Sequence, residues 1–245
     1  MTKTEIILPD HIKKPEPETD EREFYMEAFG VPFLSLIANP TDEWRQGLIK
    51  YLDENCDMTN TSAFFGDDLQ RKSDPYDMEP FYNFVGEGVK TFLEVFLRKE
   101  KIKYYDINLV KWWAVVLEKD SIVNPHTHTD GHISGVYYLE VPEVEMGNGS
   151  FCLLDESGGT LNPWGLPINS GHYHGPYQYR IPPETNQMFL FPSIQPHLVL
   201  PYSGDKKRYS ISFDIAITRT NEPDDEVSGG FENTLPQPQH WKTLT

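Results

Sequence analysis

The 245 residues carry 38 Asp and Glu against 21 Lys and Arg, a formal net charge of −17. That field repels nucleic-acid phosphates and anionic membrane surfaces and argues against both as partners. Two cysteines, Cys56 and Cys152, cannot build a disulfide framework or a cysteine-rich zinc site, and no apolar run approaches the length of a leader core or a spanning helix, so an unexported, cytoplasmic protein is expected.

Residues 1–23, rich in Pro and charge from residue 10, are expected to form an extended arm. A single domain is expected over 24–220, and an acidic, Gly- and Pro-containing tail over 221–245. A first helix should start after Pro40, with Thr41 as N-cap, Asp42 and Glu43 at the positive end of the dipole, and Trp44, Leu48, Tyr51 and Leu52 on one face. A second is expected over Glu79 to Lys99, where Phe81, Val85, Val89, Phe92 and Phe96 recur at helical spacing and read as core.

The period then changes to that of strands. "YDINLVKWWAVVLE", "HISGVYYLEV", "GSFCLLD", "NQMFLFP", "HLVLPY" and "RYSISFDIAIT" are short, rich in β-branched and aromatic residues, and separated by turn formers. Helices followed by six or more strands predict a mainly β sandwich or barrel with flanking helices. Trp112 and Trp113 must point to opposite faces, one into the core and the other to a pocket wall or the surface. Cys152 reads as a small buried hydrophobe. The loop over 156–185 is too long for a turn and is the candidate substrate loop; its His172 and His174 read as ordinary loop residues, with a lid as the alternative.

The chemistry concentrates in "VNPHTHTDGHISGVYYLEVP". If Asn124 to Asp130 is extended, then His126, His128 and Asp130 share a face, and two neighbours among them can ligate one metal ion. His197, in a strand context, can close a three-residue face. Such a face on octahedral Fe(II) leaves open positions for a bidentate co-substrate and dioxygen. Eleven residues on, Arg208 offers a rigid fork of donors suited to a carboxylate; Ser210 shares its strand face, and Tyr138 is a third candidate donor.

The order His-x-His or His-x-Asp, SGVYYL, FPS-x-x-x-His and Arg-x-Ser resembles the Fe(II)/2-oxoglutarate-dependent dioxygenases, and more narrowly a group of oxygenases with the pattern H-x-H, SG-x-YY, FPS-x-x-x-H and R-x-S. The matching elements span about Asn108 to Ile217. The resemblance implies a double-stranded β-helix, also called a jelly roll or cupin-like fold, with Fe(II) as cofactor and 2-oxoglutarate as co-substrate. It implies His197 as distal ligand, Arg208 as the anchor of the 2-oxoglutarate carboxylate, and Tyr138 and Ser210 as its helpers. The wider superfamily pattern selects His128 and Asp130 as the proximal pair; the narrower group selects His126 and His128, the pair preferred here, with Asp130 as rival third ligand.

The expected activity is therefore hydroxylation of an amino-acid, peptidyl or small-metabolite substrate by dioxygen, coupled to decarboxylation of 2-oxoglutarate to succinate. Two other readings share the residues: a cupin-like three-histidine metal enzyme that does not use 2-oxoglutarate, and a non-catalytic β-sandwich binding module with a closed structural metal site or none.

Overall fold

The structure is a computed structural model and describes residues 23–28, 31–55, 76–96, 105–145, 147–154, 178–219 and 241–244. Most of the expected arm, most of the loop over 156–185 with His172 and His174, Cys56, and the tail up to residue 240 lie outside the described residues.

Two antiparallel sheets carry the fold. The larger has seven strands in the order β1-β2-β8-β5-β10-β3-β11: β1 (Phe24–Ala28), β2 (Val31–Ile37), β8 (Gln187–Pro192), β5 (Ile133–Glu140), β10 (Arg208–Arg219), β3 (Tyr105–Leu117) and β11 (Lys242–Leu244). The smaller has four, in the order β4-β9-β6-β7: β4 (Ser121–His126), β9 (His197–Tyr202), β6 (Phe151–Leu154) and β7 (Gln178–Ile181). From β3 to β10 the chain passes back and forth between the sheets, as in a double-stranded β-helix. The expected fold class is the observed one.

Helix α1 (Asp42–Asn55) starts where the Thr41 hydroxyl accepts a hydrogen bond from Trp44 N–H at 3.2 Å. Helix α2 (Glu79–Phe96) buries Phe81, Val85, Val89 and Phe92 on one stripe. Both helices cover the outer face of the larger sheet, and the period of two along each strand decides what they meet. Trp112, Tyr137, Tyr209, Ile211, Phe213 and Ile215 turn toward the helices and join one core. Val136, Tyr138, Phe151, Leu153, Ile181, Phe189 and Phe191, with Phe33, form a second core between the sheets. Gly135 is where the two demands meet: a Cβ there would run into the Phe213 ring, so only glycine lets β5 and β10 pair at that point.

Five strands escaped the sequence reading or fell where another structure was expected: β1, β2, β4, of which only an extended run from Asn124 was considered, β7 and β11. The last lies inside the segment expected to be tail. It pairs with β3 through Leu109, Asn108 and Ile107, and Leu244 is buried against the helix side of the sheet. Three residues offer no readable period, so only the partner strand reveals them.

Candidate metal centre and anion pocket

Between the sheets lies a cavity of about 480 Å³, within the range usual for small-molecule sites. Its walls are built by alternation. On β10, Arg208, Ser210 and Ser212 face into it while the intervening Tyr209, Ile211 and Phe213 face the helices. Asp214 continues the inward series. On β3, Trp113 lines the cavity and Trp112 the helix core, which settles their division of labour.

His126, His128 and His197 converge on this cavity, with one ring nitrogen from each lying within 4.8 Å of the others. His126, the last residue of β4, sits directly opposite His197, the first of β9, with ring centroids 4.2 Å apart. His128 lies past the end of β4, where its N–H donates to the Ser193 carbonyl at 2.8 Å. Nδ1 of His126 is 2.8 Å from the Asn124 carbonyl, Nδ1 of His197 is 2.9 Å from the Gln195 carbonyl, and Nδ1 of His128 is 2.6 Å from Asp214 Oδ1. A carbonyl or carboxylate only accepts, so each Nδ1 is the donor and each Nε2 keeps its lone pair for a metal.

Burial favours neutral imidazole at two of them. His197 is pushed down to about 3 by desolvation, partly opposed by its hydrogen bond to Gln195; His126 is also lowered, again chiefly by desolvation. Neutral histidine is the form that binds metal. Asp130, the rival third ligand, is not in this cluster. It is largely exposed and its carboxylate is held by Lys111 Nζ at 2.6 Å, which keeps it below the usual carboxylate range.

Arg208 is 2% exposed. Its Nη1 donates to the Gly149 carbonyl, and its guanidinium carbon stands 5.5 Å and 5.9 Å from the ring centroids of Tyr138 and Tyr202. Gly149 has φ of +65°, a left-handed conformation that suits glycine, and so turns its carbonyl to the arginine. Among the described residues no carboxylate pairs with Arg208, and its Nε–H has no acceptor. Ser210 donates to the Val115 carbonyl at 3.2 Å. Tyr138 is fully buried, and desolvation raises its hydroxyl well above the ordinary tyrosine value, so it remains a protonated donor.

Sequence reasoning passed over Asp214, Ser134 and Lys111. The signal was present: Asp214 keeps the even parity of Arg208 and Ser210 along "RYSISFD", which places it on the same inward face.

Residues 111–214 match the family model described as "Putative 2OG-Fe(II) oxygenase". No curated protein matches the chain. Among solved structures, the non-heme alpha ketoglutarate dependent carbocyclase SnoK from nogalamycin biosynthesis superposes with a TM-score of 0.54 at 9% identity, covering 87% of this chain and 92% of that one. The non-heme alpha ketoglutarate dependent epimerase SnoN from the same biosynthesis gives 0.51 at 13%, covering 87% and 93%. These two likenesses establish the shared fold. The matched segment contains all three histidines and Arg208, so the family model, the motif order and the fold together indicate similarity to the 2-oxoglutarate-dependent non-haem iron oxygenases.

Proposed function

We propose that this protein is a hydroxylase of an amino-acid, peptidyl or small-metabolite substrate, with Fe(II) held by His126, His128 and His197 and the 5-carboxylate of 2-oxoglutarate held by Arg208. The observation that carries this reading is Arg208 itself. A buried guanidinium without a described acidic partner, and with an orphaned Nε–H, is costly unless an anion completes it, and it lines the cavity that holds the histidines.

When bound, iron and 2-oxoglutarate supply oxidative decarboxylation coupled to dioxygen-dependent oxidation of a C–H bond. The chain's part is to orient and exclude. The two backbone carbonyls and Asp214 fix the imidazole tautomers. Arg208 anchors the far carboxylate, Tyr138 donates to it, and Ser210 joins when its hydroxyl rotates away from Val115. Val136, Phe151, Phe191 and Val199 line the cavity with apolar surface that sheds water from the reacting centre. Lys111, Trp113, Asn124 and Asp130 line the same cavity and border the place left for substrate.

The test is an anaerobic Fe(II) titration with and without 2-oxoglutarate, following the weak visible charge-transfer band of an iron-bound 2-oxo acid. The band should need both components. Arg208→Ala should weaken 2-oxoglutarate binding by at least about 2 kcal/mol, roughly thirtyfold. Asp130→Ala should retain stoichiometric iron, whereas alanine at His126, His128 or His197 should lose it. Bound iron without a band in the wild type would favour the three-histidine enzyme that does not use 2-oxoglutarate.

A further inference from the structure

Three histidine side chains bring no negative charge to a divalent ion, yet a carboxylate stands directly behind one of them. Asp214 is 0% exposed. Its Oδ1 accepts from His128 Nδ1 and from Ser134 Oγ, each at 2.6 Å, and its Oδ2 lies 3.2 Å from Lys111 Nζ, which also holds Asp130 at 2.6 Å. Strand register builds this chain of contacts. Asp214 is directly opposite Lys111 on β3 and Ser134 on β5, and the register of β10 against β3 shifts between Asp214 and Ile215, an irregularity of the kind that re-aims side chains beside a site.

We propose that Asp214 is a positioning residue for the metal. It holds His128 with Nε2 turned inward and passes negative charge through the imidazole, standing behind the ligand set in place of a directly bound carboxylate, while Lys111 limits how much charge is passed. This rests on the three-histidine reading of the centre.

Two contrasts separate the arrangement from an ordinary buried ion pair. His126 and His197 are oriented by neutral carbonyls two residues back in their own segments. His128, which no longer has a strand to hold it, is instead oriented by a charged group from the opposite sheet. Lys111 moreover does not balance the site: Asp214, Asp130 and Lys111 together sum to one negative charge facing the place of the cation. Without metal, Asp214 is already held ionised by His128, Ser134 and Lys111 against the cost of its burial, and a divalent ion on the far side of His128 would add a favourable counter-charge.

The test uses the full chain, anaerobic, with Co(II) as the probe. Affinity and the visible d–d absorption are read for wild type, Asp214→Asn and Lys111→Met, alongside melting curves of metal-free and loaded forms. Asp214→Asn should bind Co(II) about 10- to 100-fold more weakly and with a changed absorption spectrum. Lys111→Met should move affinity in the opposite direction, binding more tightly than wild type, and its lowered metal-free melting temperature should recover on loading. A purely structural pair predicts that both variants weaken binding together, and that result overturns the proposal. So does an Asp214→Asn affinity and spectrum indistinguishable from wild type. If Asp214→Asn fails to fold, the sign of the Lys111→Met effect alone decides, because looser or unchanged binding overturns the proposal. A wild type that binds no Co(II) defeats the metal reading as well, which distinguishes that failure from a failure of the Asp214 role.

Discussion

At His197 the same burial that readies an imidazole for metal makes the metal-free protein sensitive to acid. The unfolded chain takes up a proton at this residue near the ordinary value of 6.5, and the folded chain resists doing so until about 3. Because the folded value is depressed, the contribution of neutral His197 is complete above about 6.5 and is lost as pH falls from there toward 3. Metal-free melting temperatures of wild type and His197→Asn should therefore differ by a constant amount above about pH 7, and the difference should turn against the wild type as pH is lowered to 4. A parallel pair of curves throughout that window refutes the burial argument. Sequence reading named the three histidines that the structure brings together but left His126 and Asp130 as rivals, and the reason is physical. Period two applies only within a strand, and β4 ends at His126. Beyond it the chain turns, His128 is drawn to Asp214, and Asp130 swings to Lys111 on a different strand. Spacing alone cannot report where a strand stops.

Strands with a long apolar alternation were legible, and those lacking one were not. β3, β5, β8, β9 and β10 contain the β-branched and aromatic runs that mark them, and both helices follow their apolar stripes, with the Thr41 cap where its side chain predicts. β4 carries Pro125 near its end and lies at the edge of its sheet, where a missing N–H is tolerated but the sequence signal is spoiled. β2 holds Pro32, β7 is four residues, and β11 is three. Of these, β11 matters beyond its length. Leu244 is 5% exposed and packs beside α2 at Gly86, so it closes the helix core at the far edge of the larger sheet. Leu244→Ala should cost about 2 kcal/mol of stability, the lower end for a buried leucine because a terminal strand can relax. Denaturant unfolding measures it. Fe(II) affinity should be unchanged, since the histidines lie on the smaller sheet and in the turn beyond β4; a parallel loss of affinity would show that the two cores are mechanically coupled.

Across the whole molecule, charge works against the co-substrate that the site is proposed to hold. 2-Oxoglutarate is a dianion, while the chain carries a formal −17, and Arg208 is buried where its field reaches little beyond the cavity. If Arg208 and the metal hold 2-oxoglutarate as proposed, the expected consequence is kinetic: long-range repulsion slows the approach, and short-range pairing then retains what arrives. Salt separates the two ranges, because the screening length falls from about 30 Å at 0.01 M to about 8 Å at 0.15 M, leaving a contact pair much less affected than the outer field. Stopped-flow binding of 2-oxoglutarate to the Fe(II) protein should therefore show an association rate that rises severalfold over that interval, with little change in dissociation rate. A rate that falls with salt would mean that a local positive field at the cavity mouth outweighs the net charge and steers the anion inward, and half-buried Lys111, although paired with Asp130 and Asp214, is the cavity-lining lysine to test as its source. The same experiment on Lys111→Met then tells the two fields apart: if the far field governs, the rate stays within about twofold of wild type and its upward slope persists, whereas loss of a steering lysine removes the downward slope.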